Sequence, residues 1–213
     1  MAREAFRGSP EIFLKEPYRR QLLIIRYRLQ LRLEALKRRG TRTPPRPPHA
    51  YQSEYQFLDH LRLIDQSLRH HNDVTVADGE LKDLIRLVET FGFHLARLDL
   101  RDESGKFSQA VADVIKLCGL EDNYNNAEAK RKTELLTSLL DAPLQKIERH
   151  RLPRQTRRVL ETFACIREAI DGIGEKAVGN YVISMTHNAN HVLEMTLLGK
   201  IEGLIGADED GKR

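Results

Sequence analysis

The sequence predicts a predominantly α-helical protein with two short strands. Apolar residues recur at three- and four-residue steps through most of the chain, which is the spacing of amphipathic helices. Two short apolar runs are instead followed at once by polar residues and then by a further helical stretch, as in a strand–turn–helix unit. The composition agrees with this class: 31% of the residues are charged, 6% are aromatic and 40% are hydrophobic, which is typical of a folded, helix-rich chain.

The first predicted helix runs from Tyr18 to Arg39 and is strongly basic. The first 50 residues contain thirteen Lys and Arg against four Asp and Glu. We interpret the arginines as a solvated face, because most of them fall off the apolar stripe. A nucleic-acid surface is the alternative, and it is disfavoured because aromatic residues are few and no glycine-rich loop accompanies the charge. These arginines are Arg19, Arg20, Arg26, Arg28, Arg32 and Arg38.

Gly40 ends this helix, and four prolines within residues 41–50 predict an extended connector. The helical pattern then resumes from about Ser53 to His71, with Phe57, Leu61, Ile64 and Leu68 as its stripe. A further helix is predicted up to Phe91. The later helical stretches are Phe107–Gly119, Ala127–Leu140, Thr156–Ile170 and His191–Glu202.

The first predicted strand follows Gly92 and ends near Arg101. Alternation along a strand places Arg97, Asp99 and Arg101 on one face, with Phe93 and Leu95. The other face is apolar and is expected to pack against helices; it holds His94, Ala96, Leu98 and Leu100.

A polar turn over 102–105 and a helix complete this first βα unit. Arg101 is therefore at the carboxyl end of a strand, which faces the chemistry in barrel enzymes. The side chains of Arg97, Asp99, Arg101 and Glu103 form the first candidate site, because an arginine fork suits a phosphate or carboxylate. The alternative is an ion-pair network that braces a barrel interior.

The second predicted βα unit starts with a strand over Tyr181–Met185. Its polar turn and first helical residues give a second candidate group. His187 and His191 are four residues apart, but His187 lies in the predicted turn and no third metal ligand is evident. We therefore favour helix capping by Asn188 or Asn190 over metal binding. The group comprises Ser184, Thr186, His187, Asn188 and His191.

No self-contained catalytic motif occurs in the sequence, such as a phosphate-binding or nucleophile loop. No apolar run is long enough to cross a membrane. Cys118 and Cys165 lie in apolar helical runs and are predicted to be buried thiols, which with the lack of an apolar leader indicates a cytoplasmic protein. We expect one domain with five segments, at 1–40, 41–50, 51–118, 119–179 and 180–213.

The segment Leu98-Asp99-Leu100-Arg101-Asp102-Glu103-Ser104, preceded by Phe91-Gly92-Phe93, resembles the "FGF…LDIRQES" segment of phosphoenolpyruvate carboxylases. Two further stretches agree with this family in the same order, Glu16–Arg19 and Tyr181–Met185. The resemblance implies a barrel enzyme that adds bicarbonate to phosphoenolpyruvate, giving oxaloacetate and phosphate. It further implies Mg²⁺ or Mn²⁺ as cofactor and a cytoplasmic homotetramer.

By this match Arg101 occupies the place of an arginine that binds the substrate phosphate. Asp99 and Glu103 match acidic positions that orient it, and Arg97 supports it. Two positions depart from the family pattern: Asp102 replaces a glutamine and adds negative charge beside Arg101, and Asn190-His191 replaces Ser-Asp at the start of the last helix.

The family's histidine motif, its glycine- and arginine-rich loops and its metal-binding Glu and Asp are absent from this sequence. We therefore expect a middle section of the enzyme that contains no catalytic residue, binds no metal and is inactive alone. Its fold is expected to be a partial (β/α)8 barrel, or a helical bundle if the exposed strand edges repack or self-associate. The alternative function is a non-catalytic helical interaction or scaffold module.

Overall fold

A computed structural model describes residues 5–6, 11–37, 47–143 and 147–206. The predicted class, mostly helical with two short strands, is confirmed for this part of the chain. Residues 41–46 of the predicted connector (41–50) and residues 207–213 of the last predicted segment (180–213) lie outside the described residues. No described helix is both long and apolar enough for a membrane span. The main elements are α1 (Pro17–Lys37), α2 (Glu54–His70), α3 (Lys82–Phe91), β1 (Leu98–Glu103), α4 (Ser104–Leu117), α5 (Ala129–Asp141), α6 (Arg154–Gly172), β2 (Val178–Ser184) and α7 (Asn190–Ile201).

The chain divides into two compact units, and the first comprises Met1–Arg97 with Ile170–Ala177. Its core lies between α1, α2 and α3, and the apolar stripe predicted for α2 is buried in it: Phe57, Leu61, Ile64 and Leu68. Ser53 caps α2, because its hydroxyl accepts the N–H of Gln56. Between α2 and α3 the chain makes a short helical turn, Val74–Val76, and is then kinked at Gly79, whose φ of −84° and ψ of −136° are not helical.

The interpretation of the α1 arginines as a solvated face is wrong for Arg32. Its side chain is only 4% exposed, and its guanidinium donates to the carbonyls of Tyr51 (2.8 Å) and Ile173 (2.6 Å). The guanidinium also lies 4.2 Å from the centre of the Phe93 ring. The aliphatic stem of an arginine can be buried while its planar head reaches carbonyls beyond a helix end, and here it does so at the end of α6.

The second unit comprises Leu98–Ala169 with Val178–Arg213. Its β1 and β2 pair in parallel as a two-stranded sheet. Three aromatic rings pack behind this sheet: Tyr181 of β2 stacks on Phe163 of α6 with centroids 5.4 Å apart, and Phe107 of α4 lies edge-on to both. Helices α4 and α5 both contact α7.

The predicted bounds of the first βα unit are wrong at both ends. β1 begins at Leu98 rather than near Phe93, because Leu95 adopts a φ of 59°, a left-handed conformation that interrupts a strand. Leu98, predicted to be packed, is 67% exposed. The strand also continues through Glu103, and α4 starts immediately at Ser104. The polar turn predicted over 102–105 is therefore not formed.

The two cysteines have different surroundings, and both are free. Cys118 is partly buried, and burial raises the pKa of its thiol. Cys165 is exposed, so its predicted burial is wrong. Phe163 and Ile166 lie on the buried face of α6, and a helix turns about 100° per residue, which directs the Cys165 side chain away from that face.

Candidate functional site

The parallel pairing of β1 and β2 brings the two candidate groups to one edge of the sheet. Arg101 is in register with Val182 and Glu103 with Ser184, so both strands end side by side. Two side chains join these ends: Ser104 Oγ donates to the carbonyl of Met185 (2.7 Å), and Ser184 Oγ donates to the carbonyl of Asp102 (3.1 Å). The segments that follow the two strands therefore form one continuous surface.

From Asp99 to Arg101 the two faces of β1 differ as the alternation predicted, whereas Leu98 is exposed. Leu100 and Asp102 are partly buried, whereas Asp99, Arg101 and Glu103 are exposed. Residues paired in a parallel sheet share a face. Leu100 is paired with Tyr181, so these two lie on the face that packs against the aromatic rings, and Arg101 lies on the open face with Val182.

Arg101 is available to a ligand. Its guanidinium forms no hydrogen bond or ion pair with any residue in the described part of the chain. No ion pair within 4.0 Å joins Arg97, Asp99, Arg101 and Glu103 to each other among these residues, so a bracing ion-pair network is not formed. Arg97 belongs to the first unit, at the end of its segment Met1–Arg97, and is exposed.

The substitution at Asp102 does not place a free carboxylate beside Arg101. Asp102 lies on the opposite face of β1, where its Oδ1 accepts from Lys106 Nζ (2.6 Å) and from the N–H of Glu103 (2.9 Å). This hydrogen bond raises the pKa of the Lys106 ammonium. Burial, with the Asp102 carboxylate nearby, raises the pKa of Tyr181 to about 12. The negative charge of Asp102 is thus balanced by Lys106.

The turn after β2 is organised by its own side chains. Asn188 Oδ1 accepts the N–H of Asn190 (3.0 Å), the first residue of α7, and the Nδ1 of His191 accepts the N–H of His187 (3.3 Å). The N-cap of α7 is Ala189, and no side-chain hydrogen bond caps the helix there, so the predicted capping by Asn188 or Asn190 is wrong. Within the described ranges, no group of three or more His, Cys, Asp and Glu could hold a metal ion.

The Asn190 side chain points away from the sheet edge. It is 3% exposed, accepts from Thr133 Oγ1 (2.6 Å) and donates to the carbonyl of Ala129 (3.1 Å), so it fastens α7 to α5. The departure from the family pattern at this position therefore affects helix packing rather than the surface around Arg101.

Sequence reasoning missed four residues that shape this edge: Ser104, Lys106, Gly179 and Asn180. Ser104 was assigned to a turn, although it begins a helix. Gly179 and Asn180 precede the apolar run of the second strand and have low β propensity, so the pattern of the sequence does not include them in that strand. A glycine directly before a buried strand is a signal for close backbone approach, and it was available in the sequence.

The family model for phosphoenolpyruvate carboxylase matches residues 2–212. The chain belongs to the phosphoenolpyruvate carboxylase family. Among its relatives, the phosphoenolpyruvate carboxylase of Rhodothermus marinus is 36% identical over 200 residues, which is 93% of this chain and 21% of that protein. The Nocardia farcinica phosphoenolpyruvate carboxylase is 37% identical over 201 residues, covering 91% of this chain and 22% of the relative.

A third phosphoenolpyruvate carboxylase, from Corynebacterium diphtheriae, is 33% identical over 219 residues, with 96% of this chain and 24% of the relative covered. The family resemblance read from the strand motifs is therefore confirmed. The chain spans about a fifth of the length of the curated relatives it matches.

Proposed function

We propose that this chain forms part of the substrate-binding wall of a phosphoenolpyruvate carboxylase, in which Arg101 binds the phosphate of phosphoenolpyruvate. The observation that carries the proposal is the exposed, unengaged guanidinium at the carboxyl end of a strand. A planar guanidinium can donate two parallel hydrogen bonds to a phosphate. Asp99, Glu103 and Arg97 act as supporting residues in this proposal.

The fold proposed for the complete site is a partial (β/α)8 barrel. Two parallel strands, each followed by a helix that starts within a few residues, are the repeating unit of such a barrel. The outer edges of β1 and β2 carry no further strand in the described chain, and barrel closure is what removes such edges in proteins. A repacked helical bundle is the alternative.

The reaction proposed for the family member is the carboxylation of phosphoenolpyruvate by bicarbonate, giving oxaloacetate and phosphate. A bound Mg²⁺ or Mn²⁺ would stabilise the negative charge of the enolate. The described residues do not fit that ion, since none of their acidic, histidine or cysteine side chains cluster as ligands, so we assign it no residue here. A cytoplasmic homo-oligomer is proposed on the same family grounds.

A titration of the 213-residue protein with phosphoenolpyruvate tests the role of Arg101. Because a charge-assisted pair of hydrogen bonds is lost, Arg101→Ala is expected to weaken binding about tenfold or more. Isothermal calorimetry or amide chemical shifts would give the dissociation constants. Arg157→Ala removes an exposed arginine from α6 and serves as the matched control, with unchanged affinity. Equal affinities of wild type and Arg101→Ala would refute the proposal.

The purified chain is expected to bind phosphoenolpyruvate without turning it over. One phosphate contact stabilises the substrate and the transition state alike, whereas acceleration needs groups placed where charge develops. Oxaloacetate can be followed by its reduction with malate dehydrogenase and NADH, against a blank without protein. Oxaloacetate formation that disappears in Arg101→Ala would show instead that these residues suffice for the reaction.

The scaffold alternative is favoured by one observation. Helix α3 exposes an apolar stripe, in which Leu84 is 39%, Leu87 54% and Phe91 41% accessible to solvent. Exposed apolar surfaces of this kind commonly mark contacts with other protein. If the chain is only an interaction module, Arg101 is structural and the titration above finds no anion binding in the wild-type protein.

A further inference from the structure

The pairing of β1 with β2 contains an irregularity directly before Arg101. Leu98 is paired with Val178 and Leu100 with Tyr181, and the register shifts between these two pairs. One residue of β1, Asp99, therefore faces two residues of β2, Gly179 and Asn180. This two-against-one arrangement is a β-bulge, a feature that is uncommon between parallel strands.

The Asp99 side chain spans this bulge. Its Oδ1 accepts the backbone N–H of Asn180 at 2.7 Å, so it takes the hydrogen bond that a backbone carbonyl of a regular neighbouring strand would accept. The contact is close enough to exclude a side chain at position 179. A Cβ added to Gly179 would lie 2.0 Å from Asp99 Oδ1 and 3.3 Å from the carbonyl oxygen of Leu98.

The bulge decides on which face Arg101 lies. Without the extra residue in β2, continuing the Leu98–Val178 pair would set Arg101 opposite Tyr181. Paired residues of parallel strands share a face, and Tyr181 is fixed on the packed face by the rings of Phe107 and Phe163. A slip of one residue moves every side chain of a strand to the other face, so it would turn Arg101 towards the core.

We propose that Asp99 and Gly179 act together as a register clamp that positions Arg101 on the open face of the sheet. Asp99 is then a positioning residue and does not touch the substrate itself. The inference rests on the proposed function for its link to phosphoenolpyruvate, whereas the clamp itself concerns only the strand pairing. This role distinguishes Asp99 from Glu103, because in the described chain the Glu103 side chain makes no comparable hydrogen bond to β2.

The test compares Asp99→Ala, Asp99→Asn and Gly179→Ala in the 213-residue protein. Asparagine keeps a side-chain oxygen for the Asn180 N–H, whereas alanine removes it and Gly179→Ala forces the carboxylate away. Asp122→Ala, an exposed aspartate of the same unit, is the control. Strand register is read from nuclear Overhauser contacts between paired backbone protons, and anion affinity from titration with phosphoenolpyruvate.

We expect Asp99→Ala and Gly179→Ala to lose the Leu100–Tyr181 register contacts and to bind phosphoenolpyruvate about tenfold more weakly. Asp99→Asn should retain the register and bind within about twofold of wild type. If Asp99→Ala or Gly179→Ala does not fold, hydrogen exchange in Asp99→Asn replaces them as the test. Faster exchange of the Asn180 amide than in wild type would show that the Asp99 carboxylate accepts its hydrogen bond. Exchange at an equal rate would count against it.

Two results separate the clamp from the proposed function. If Asp99→Ala keeps both the register contacts and the affinity of wild type, the clamp is wrong even though Arg101 binds the anion. If wild type binds no anion but Asp99→Ala still changes register, the clamp is supported and the substrate-binding role of Arg101 is not. Loss of affinity in Asp99→Ala with the register intact would make Asp99 a direct ligand and overturn its role as a clamp.

Discussion

Replacing Arg32 with alanine is expected to lower the free energy of unfolding by about 3 kcal/mol. The change deprives the buried carbonyl of Tyr51 and the partly buried carbonyl of Ile173 of a charged donor, and buried acceptors without a donor are costly. It also removes a cation from the face of the Phe93 ring. Urea denaturation followed by circular dichroism, with hydrogen exchange at the amides of α2, would measure the loss.

Two further variants show whether the loss comes from the buried contacts. Arg26 lies on the same helix and is exposed, so Arg26→Ala should change the free energy of unfolding by no more than about 0.5 kcal/mol. Arg32→Lys keeps the charge, but its single ammonium group can donate well to only one of the two carbonyls. Its free energy of unfolding should therefore lie between those of wild type and Arg32→Ala. A loss below about 1 kcal/mol in Arg32→Ala would contradict the inferred role.

Arg32 also shows why the charge of α1 was misread from the sequence. The three- and four-residue spacing of Leu22, Ile25, Leu29 and Leu33 predicted this helix, which the structure describes over Pro17–Lys37, since local hydrogen bonding and periodicity decide helices. The helix end predicted at Gly40 lies outside the described residues. Yet Leu22 and Leu33 are about half exposed while Arg32 is buried. Arg32 is buried because it reaches the carbonyls of residues that lie 19 and 141 positions further along the chain, and hydrophobic periodicity carries no information about such distant partners.

The strands were harder to place than the helices for a related reason. The alternation in Asp99, Leu100 and Arg101 predicted the two faces correctly, because side chains alternate whatever the partner strand is. The start of β1 depends instead on pairing with β2, and the left-handed Leu95 had no marker in the sequence. The sequence therefore indicated which residues belong to the candidate site. It did not indicate that two strand ends and a bulge bring them together.

The other large effect is expected at Glu194 of α7, which is 1% exposed. Its carboxylate accepts from the Tyr124 hydroxyl (2.9 Å) and from Ser108 Oγ of α4 (2.5 Å). Burial, with this carboxylate adjacent, raises the pKa of the Tyr124 phenol well above its usual range. Glu194→Ala should cost about 3 kcal/mol of unfolding free energy, because the buried Tyr124 hydroxyl and the partly buried Ser108 hydroxyl lose their acceptor and a cavity remains.

A double-mutant cycle would assign this loss to the contacts. Glu194→Gln keeps the shape and one carbonyl oxygen, so it should cost about 1 kcal/mol, and its combination with Tyr124→Phe should cost less than the sum of the two single variants. Glu134→Ala, at an exposed glutamate of α5, is the control. Additive effects in the cycle would show that Glu194 is not held by Tyr124.

The position of Glu194 gives its loss a consequence beyond stability. Ser108 lies one turn after Ser104 at the end of β1, and Glu194 lies one turn after Asn190, where α7 begins beyond β2. The carboxylate therefore fastens together the two helices that follow the two strands. Weakening it should loosen the Ser104–Met185 contact at the sheet edge, so Glu194→Ala is expected to weaken phosphoenolpyruvate binding while Arg101 itself is unchanged. Wild-type affinity in a folded Glu194→Ala protein would show that the edge is set by the strands alone.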